Sequence, residues 1–488
     1  MKRQFKILIN RCTLLLFIQL SVIQAFSSNL NILELGAKPD GKTLSTKVIQ
    51  KAIDNCSASG GGMVIVPAGR FITGTIILKS NTTLKLEIGA VLLGSSNPDD
   101  YIQNIPKYEA LRTNKQTCQL IYSENQENIS IIGEGMIDGQ GAGFKVQQTI
   151  DGESDAGITR PHLIQMISCK NIRIEGIDLK NSAAWMQHYL GCDNLQIKGI
   201  RVFNFCNVNN DGIDIDGCHD VTISDCIVSS ADDAIVLKAT GLRSCQNVVI
   251  SNCILHTFSS AVKLGTETTG GFQNISINNI AISPVTNVDF KYNDPVGYTA
   301  IALMIVDGGT LENVNISNIV VSEISCPIFI NLGNRGRKYK PDADEPSVGK
   351  VKNVMISNIT AVSSSRITSS ITGIPGYDIE NLVFDNIRLI NRSQGLAQDT
   401  LQVVPEVNSY PESDMYGQVL PASAFYLRHA KNIQFTNIQL QVEGTDYRPV
   451  FMLEDAKNIT IINPVLNSKI SNTKIVKEKD CKNVKVVK

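Results

Sequence analysis

One segment recurs through most of the chain: an Asn, once replaced by Asp, then apolar residues alternating with polar ones, then Asn or Gly. It begins at Asn128 (NISIIGE) and returns at Asn171, Asn194, Asp220, Asn247, Asn274, Asn313, Asn353, Asn381, Asn432 and Asn458. Spacings such as 23 residues from Asn171 to Asn194 and 27 from Asn247 to Asn274 give a period that belongs to solenoids. Alternation with period two marks a strand with one buried face, and the Asn or Gly beyond it supplies a turn. A second column, five places on, carries Asn252, Asn279, Asn318, Asn358, Asn386, Asn437 and Asn463. Identical amides at one register stack only if successive coils run parallel, each side chain bonding those above and below. The expected fold class is therefore all-β: a single-stranded parallel β-helix, right-handed because parallel crossovers almost always are.

The 488 residues are 43% hydrophobic with a formal net charge of −1, enough for a long core and without electrostatic bias toward nucleic acid or an anionic membrane. Residues 1–25 carry Lys2, Arg3, Lys6 and Arg11, then an apolar stretch from Leu14 to Ile23 and a small Ala25, which reads as a secretory signal peptide. An exported protein, periplasmic or extracellular, is expected, with no membrane insertion after cleavage. Of the 12 cysteines, 11 follow the leader, and their positions track the repeat. Cys226 and Cys253 stand where other coils carry Ile177, Ile200, Ile280, Ile319 and Ile359, so they read as small core hydrophobes, with a few disulfides as the alternative. No Cys or His spacing points to a metal site, and no cofactor is expected.

Residues 26–488 read as one β-helix domain, acting as a monomer, with an N-terminal cap over about 30–95 and coils over about 96–488. In the cap, Val48, Ile49, Ala52, Ile53 and Cys56 follow helical spacing after Ser45, a candidate N-cap, and the helix is expected to end at Gly60, Gly61 and Gly62. Such a helix would cover the core end that every solenoid must close. Insertions such as GNRGRKYKPDADEPSVG become loops, commonly on the binding face.

Four successive coils align as NDGIDI from Asn210, DDAIVL from Asp232, SSAVKL from Ser259 and YTAIAL from Tyr298. Asp211 then stacks on Asp233, with Asp232 beside them and Asp214 and Asp216 on the same strand as Asp211. Coils lie about 4.8 Å apart, so the carboxylates crowd and at least one pKa must rise. One protonated and one ionised carboxyl is what acid/base cleavage of a glycosidic bond requires. A solvated acidic turn or a calcium site is the alternative reading of the same cluster. Adjacent residues of a regular strand face opposite sides, so a bend or bulge is expected at Asp232 and Asp233.

These motifs, with GAKPDGK and GGGMVIVPAGRF near the N-terminus, RPHLIQMISCKNIRIEGIDLKNSAAWMQH, and NNDGIDIDGCHDVTISDCIVSSADDAIVLK, resemble glycoside hydrolase family 28, the polygalacturonases, over nearly the whole mature chain. The resemblance implies a right-handed parallel β-helix and inverting, metal-free hydrolysis of galacturonosyl linkages in pectic polysaccharide or oligosaccharide. It makes Asp232 the general acid and Asp211 and Asp233 the pair that activates water. Inversion asks for carboxyls about 6.5–9.5 Å apart. The chain also departs from the family. Phe258-Ser259-Ser260 stands where Gly-His-Gly is usual, and Ala302-Leu303-Met304 where Arg-x-Lys binds the substrate carboxylate. Exo action or a rhamnogalacturonan substrate then competes with attack on smooth homogalacturonan. A non-catalytic carbohydrate-binding β-helix and a calcium-dependent polysaccharide lyase remain as alternatives.

Candidate substrate-binding residues are Asn210, Lys238 and Lys263, either ammonium being able to pair with a uronate. Lys263 can equally form a salt bridge to Glu267 or Asp214. Trp185 and His188 lie one coil before Asp211, where Trp185 either stacks on sugar or closes the core edge. Arg335 and Arg337 lie in the inserted loop, reaching over the cleft or forming a solvated basic turn. Arg160 is one coil further back. The run VVPEVNSYPESDMYG and RHAKNI, which resemble a branch of the family from pectin-degrading bacteria, add Glu406, Tyr410, Glu412, Arg428 and His429 as a cleft wall.

Overall fold

The computed structural model describes residues 28–111, 113, 116–147, 155–290, 292, 296–407, 410–466 and 474–487; the leader expected over 1–25 lies outside them. Every pairing between its strands is parallel, and the strands stack in three columns that wind into a β-helix. The wall that matters below runs through Gln187–Leu190, Ile213–Asp216, Ile235–Ala239, Ser260–Thr268, Thr299–Ile305 and Cys326–Leu332. The rule for parallel crossovers gives this spiral its right hand. Among the described residues no helix is long and apolar enough to cross a membrane.

The repeat sets both the core and the edges. Inward residues of successive coils lie directly on one another, as in Ile174, Ile197, Ile223, Ile250, Ile277, Ile316 and Ile356, followed by Phe384 and Phe435, whose rings stack at 4.8 Å. Cys253 pairs in register with Ile280 and is buried, as its place in the repeat predicts. The 11 cysteines among the described residues are all free thiols. At the corners the repeat Asn residues take left-handed backbone, for example φ 56° at Asn247 and Asn274, which Asn tolerates better than other side chains. Their amides form a ladder: Asn171 donates to Asn128 (2.9 Å), Asn194 to Asn171 (2.9 Å), Asn247 to Asp220 (2.9 Å), Asn274 to Asn247 (3.2 Å) and Asn458 to Asn432 (2.9 Å). The second column does the same, as in Asn279 to Asn252 (2.8 Å).

The expected helix spans Thr46–Ala58 and buries Ile49, Ala52, Ile53 and Cys56 against the first coil. Ser45 stands at its N-cap position but its hydroxyl caps no helical N–H, pointing instead toward the Thr43 carbonyl (3.4 Å). The helix stops at Ser59, just before the glycines, and Gly60 and Gly61 take positive φ. Its polar side chains close the exposed edge of the sheet. Gln50 accepts from Ile77 N (2.7 Å) and donates to Ile77 O (3.0 Å), and Thr46 Oγ1 accepts from Gly74 N (2.7 Å).

Period-two burial holds on the second and third walls, as in Cys245–Thr257, but fails on the first. Ile213–Asp216, Thr299–Ile305 and Cys326–Leu332 are buried at every position. Loops cover their outward face. Outward Ala302, Met304 and Phe329, with Tyr426 further along the same wall, pack under Val404, Tyr416 and Leu420, so the loop that carries these three lies across this wall.

Candidate active site

Backbone hydrogen bonds fix the register at the acidic cluster. Met186 N donates to Asp211 O (3.1 Å), Gly212 N to Asp233 O (2.9 Å) and Ala234 N to Ser260 O (3.0 Å), stacking four coils. Ile213 pairs with Ile235 and Ile235 with Val262, which is the alignment read from the sequence. Asp232 and Asp233 lie in a bend before Ile235–Ala239, and the departure from regular strand lets both side chains reach one side. One oxygen from each of Asp211, Asp232 and Asp233 lies within 4.8 Å of the others.

The three carboxyls have different surroundings. Asp233 Oδ1 accepts from Ser259 Oγ (3.0 Å) and Ser260 N (3.1 Å), and its Oδ2 lies 3.0 Å from the Lys263 ammonium. Ser259 therefore holds Asp233 through its hydroxyl and Ser260 through its backbone N–H. Asp232 accepts from Asp233 N (3.0 Å) and from the Tyr292 hydroxyl (3.1 Å), and it alone of the three is partly exposed. Burial, then the charge of Asp233, raises its carboxyl pKa, against the pull of Lys263. Asp211 is buried and its Oδ1 has no hydrogen-bond partner. Burial, then Asp214 and Asp232, push it well above the ordinary range. Because Asp232 is one cause of that rise, a proton on Asp232 lowers the cost of ionising Asp211.

Each predicted residue can now be placed. Lys263 pairs with Asp233 and Glu412 (2.9 Å), rather than with Glu267 or Asp214. Those two belong to Lys238, at 3.4 and 3.7 Å, whose ammonium also sits 5.0 Å above the Trp185 ring. Burial works against both ammonium groups, but Glu267 and Asp214 around Lys238, and Asp233 and Glu412 around Lys263, outweigh it and raise both pKa values. Arg335 and Arg337 form no solvated turn. Arg335 is held by Asp307 (2.9 Å) and the Thr266 carbonyl (2.7 Å), and Arg337 by Glu267 (2.7 Å) and Asp307 (3.3 Å).

Two expected substrate contacts are braces instead. Asn210 is fully buried: its Oδ1 accepts from Cys206 N and Asn207 N, and its Nδ2 donates to Ser182 O and Ala184 O, so its amide has nothing left for a sugar. His188 is also fully buried, between Gln165 (3.0 Å) and Asp216 (3.2 Å). Trp185 is partly buried, with the His162 and His188 rings 5.0 and 5.1 Å away. Arg160 lies buried against Asp155 (2.7 Å) and Val208 O (2.7 Å), under the turn that leads to Asp211. From the far loop, Tyr410 and Glu412 reach the cluster. Arg428, His429 and Glu406 anchor that loop further along, Arg428 through the Val404 and Pro405 carbonyls (2.8 and 3.0 Å) and His429 through Glu406 (2.9 Å).

Sequence reading missed Tyr292 and Asp307. Tyr292 lies in the insertion between the Asn274 and Asn313 repeats, where no register places it. Asp307 follows Thr299–Ile305, and only the two arginines of a later loop reveal its use.

A parallel β-helix carrying a carboxylate trio at the start of adjacent wall strands has the paired acid and base that glycosidic hydrolysis uses, and comparison with known proteins narrows the class. The profile of Glycosyl hydrolases family 28 matches residues 56–409, and the chain belongs to that family. It is 33% identical over 231 residues to a probable polygalacturonase of Vitis vinifera, an alignment covering 46% of each chain. It is 38% identical over 162 residues to an exo-poly-alpha-D-galacturonosidase of Dickeya chrysanthemi, covering 32% of this chain and 26% of that one. The matched part thus spans less than half the length of either relative. In fold it resembles the family 28 exopolygalacturonase of Yersinia enterocolitica, with TM-score 0.66 and 18% identity over 94% of this chain and 78% of that one. The exopolygalacturonase of Thermotoga maritima gives TM-score 0.60 and 22% identity over 75% and 87%.

Proposed function

We propose that this protein hydrolyses galacturonosyl linkages of pectic saccharides by acid/base catalysis, with Asp232 protonating the leaving oxygen and Asp211 and Asp233 activating water. The observation that carries this reading is the meeting of three carboxyls within 4.8 Å in three unlike settings. Asp232 combines the raised pKa of an acid with the exposure needed to reach a glycosidic oxygen. Asp211 keeps a buried oxygen without a partner, and Asp233 is surrounded by donors that fix its orientation. A water bonded to two carboxylates at about 2.8 Å each needs their oxygens about 4.5 Å apart, which suits a jointly held nucleophile. The spacing is shorter than the 6.5–9.5 Å that an inverting acid and base call for, so the anomeric form of the first product is a decisive readout.

Exo action is part of the proposal. The loop that carries Val404, Tyr416 and Leu420 lies over Ala302, Met304 and Phe329, so a polymer cannot continue along that part of the wall. The Dickeya and Thermotoga relatives named above are exo-acting by name. We further propose a leader over 1–25, export, and one monomeric domain over 26–488. The same three carboxylates can hold a divalent cation. The Lys263 ammonium at Asp233 supplies positive charge there already, and hydrolysis is expected to survive a chelator.

The test is Asp232→Asn on defined pectic oligosaccharides, with reducing ends and product anomers followed. Loss of about a thousandfold in kcat with binding retained supports the reading. Full turnover in the variant, or products carrying a new double bond, would sink it.

A further inference from the structure

We propose that Tyr292 is a positioning residue for the reaction, its hydroxyl holding one oxygen of Asp232 and stabilising the carboxylate that remains when Asp232 gives up its proton. This rests on the hydrolase reading above and adds to it a residue from outside the register of the coils.

The backbone of Asp232 is fixed independently of its side chain. Its N–H donates to Asn210 O (3.2 Å), and its carbonyl accepts from Ser230 Oγ (2.8 Å) and Thr257 Oγ1 (2.5 Å). The carboxyl has two donors, Asp233 N on Oδ1 (3.0 Å) and the Tyr292 hydroxyl on Oδ2 (3.1 Å). Among the described residues Tyr292 is the one side chain that hydrogen-bonds this carboxyl. Packing seats the tyrosine. Its ring stacks beside that of Phe290, with centroids 6.4 Å apart and planes 26° apart, and both pack on the buried cluster of Phe205, Ala231 and Phe258. Ala231 precedes Asp232 and Phe258 precedes Ser259, so the cluster ties Tyr292 to two coils of the site at once. Phe258 stands where the family carries the first glycine of Gly-His-Gly, and a glycine would offer this ring no apolar support.

In the bond-breaking step the Asp232 proton passes to the glycosidic oxygen, which keeps the electron pair of the broken C–O bond. Water held by Asp211 and Asp233 adds to the sugar carbon and loses a proton to that pair. Asp232 thus turns from a neutral acid into an anion. A hydroxyl already aimed at Oδ2 bonds the anion about twice as strongly as the acid, so the interaction grows toward the transition state. Tyr292 remains the donor throughout, because burial and then the charge of Asp232 push its own pKa far above the ordinary tyrosine value. Other charges face the same carboxyl. Asp211 and Asp214 on the coil before, Asp233 beside it and Glu412 from the covering loop oppose its ionisation, while Lys238 on its own coil and Lys263 on the next favour it. None of these side chains hydrogen-bonds the Asp232 carboxyl, so deleting the Tyr292 hydroxyl leaves them in place and removes one bond to the anion.

The experiment is Tyr292→Phe, which keeps the ring and removes the hydroxyl, with kcat and KM on pectic oligosaccharides followed against pH. The expected result is a kcat lower by about tenfold at the wild-type optimum, KM within about twofold, an unchanged melting temperature and an alkaline limb moved up by about one pH unit. The sign follows from the bond, which favours the ionised form of Asp232: without it the pKa rises and the acid keeps its proton to higher pH. A tyrosine that only packs the loop would leave the limb where it is. Phe258→Leu loosens the seat of the ring and should move the limb in the same direction by less, and it decides the matter if Tyr292→Phe does not fold. An unmoved or lowered limb in an active variant overturns the inference and leaves hydrolysis intact. Release of no reducing ends by wild type overturns the hydrolase reading and this inference with it.

Discussion

Two stacks of polar side chains run along this spiral, the Asn ladder at its corners and the carboxylates on its first wall, and both obey the same coil-to-coil register. In the ladder each amide is donor and acceptor at once, so a repeated Asn satisfies its neighbours, as in Asn274 between Asn247 (3.2 Å) and Asn313 (3.3 Å). In the acidic stack the groups repel, one oxygen of Asp211 and both of Asp214 lack hydrogen-bond partners, and burial raises the pKa of both residues. The spacing that makes the ladder stabilising makes the cluster costly. The cost persists because neighbouring lysines offset it, and because a strained carboxyl set is reactive.

Substitutions should therefore separate the two stacks cleanly. Asp211→Asn removes a carboxylate that the fold holds at a disadvantage; kcat on pectic oligosaccharides should drop by about a thousandfold while the melting temperature holds or rises. A melting temperature that falls with kcat would erase the contrast. Asn274→Ala should do the reverse, costing about 1–2 kcal/mol in denaturant unfolding because a non-Asn side chain must adopt φ 56°, with kcat of the folded fraction unchanged. Asn274→Gly should cost less, since glycine accepts that backbone, and equal losses would assign the effect to the amide bonds alone. Ser259→Ala removes one of the two Oδ1 donors of Asp233 and should slow kcat by about tenfold. The subtlest effect is on pH. An acid with a raised pKa stays protonated beyond the ordinary carboxyl range, so wild-type kcat should persist above that range and fall only as pH rises further. A rate already falling below pH ~4 would remove Asp232 from the acid role.

The spiral was legible because one local pattern recurs: Asn at the corner and alternating apolar residues between corners leave few ways to stack. The acidic trio was legible for the same reason, since alignment on Ile213, Ile235 and Val262 puts Asp211 on Asp233. Partners drawn from outside the register were not. Glu412 reaches Lys263 across 149 residues of chain and Tyr292 reaches Asp232 across 60, and no periodicity predicts either. Asn210 and His188 misled because a polar residue beside a cleft can spend every hydrogen bond on the backbone or on a buried neighbour. The arginines of the inserted loop misled in the other direction, their partner Asp307 being hidden at the end of an apolar strand.

A β-helix is in effect a polymer of its own rungs, and something must tell it where growth stops. Gln50 does so at the leading face, its side-chain amide answering both the N–H and the C=O of Ile77 like a rung one residue long. With those groups spent, a strand from another molecule finds nothing to zip onto at Ile77.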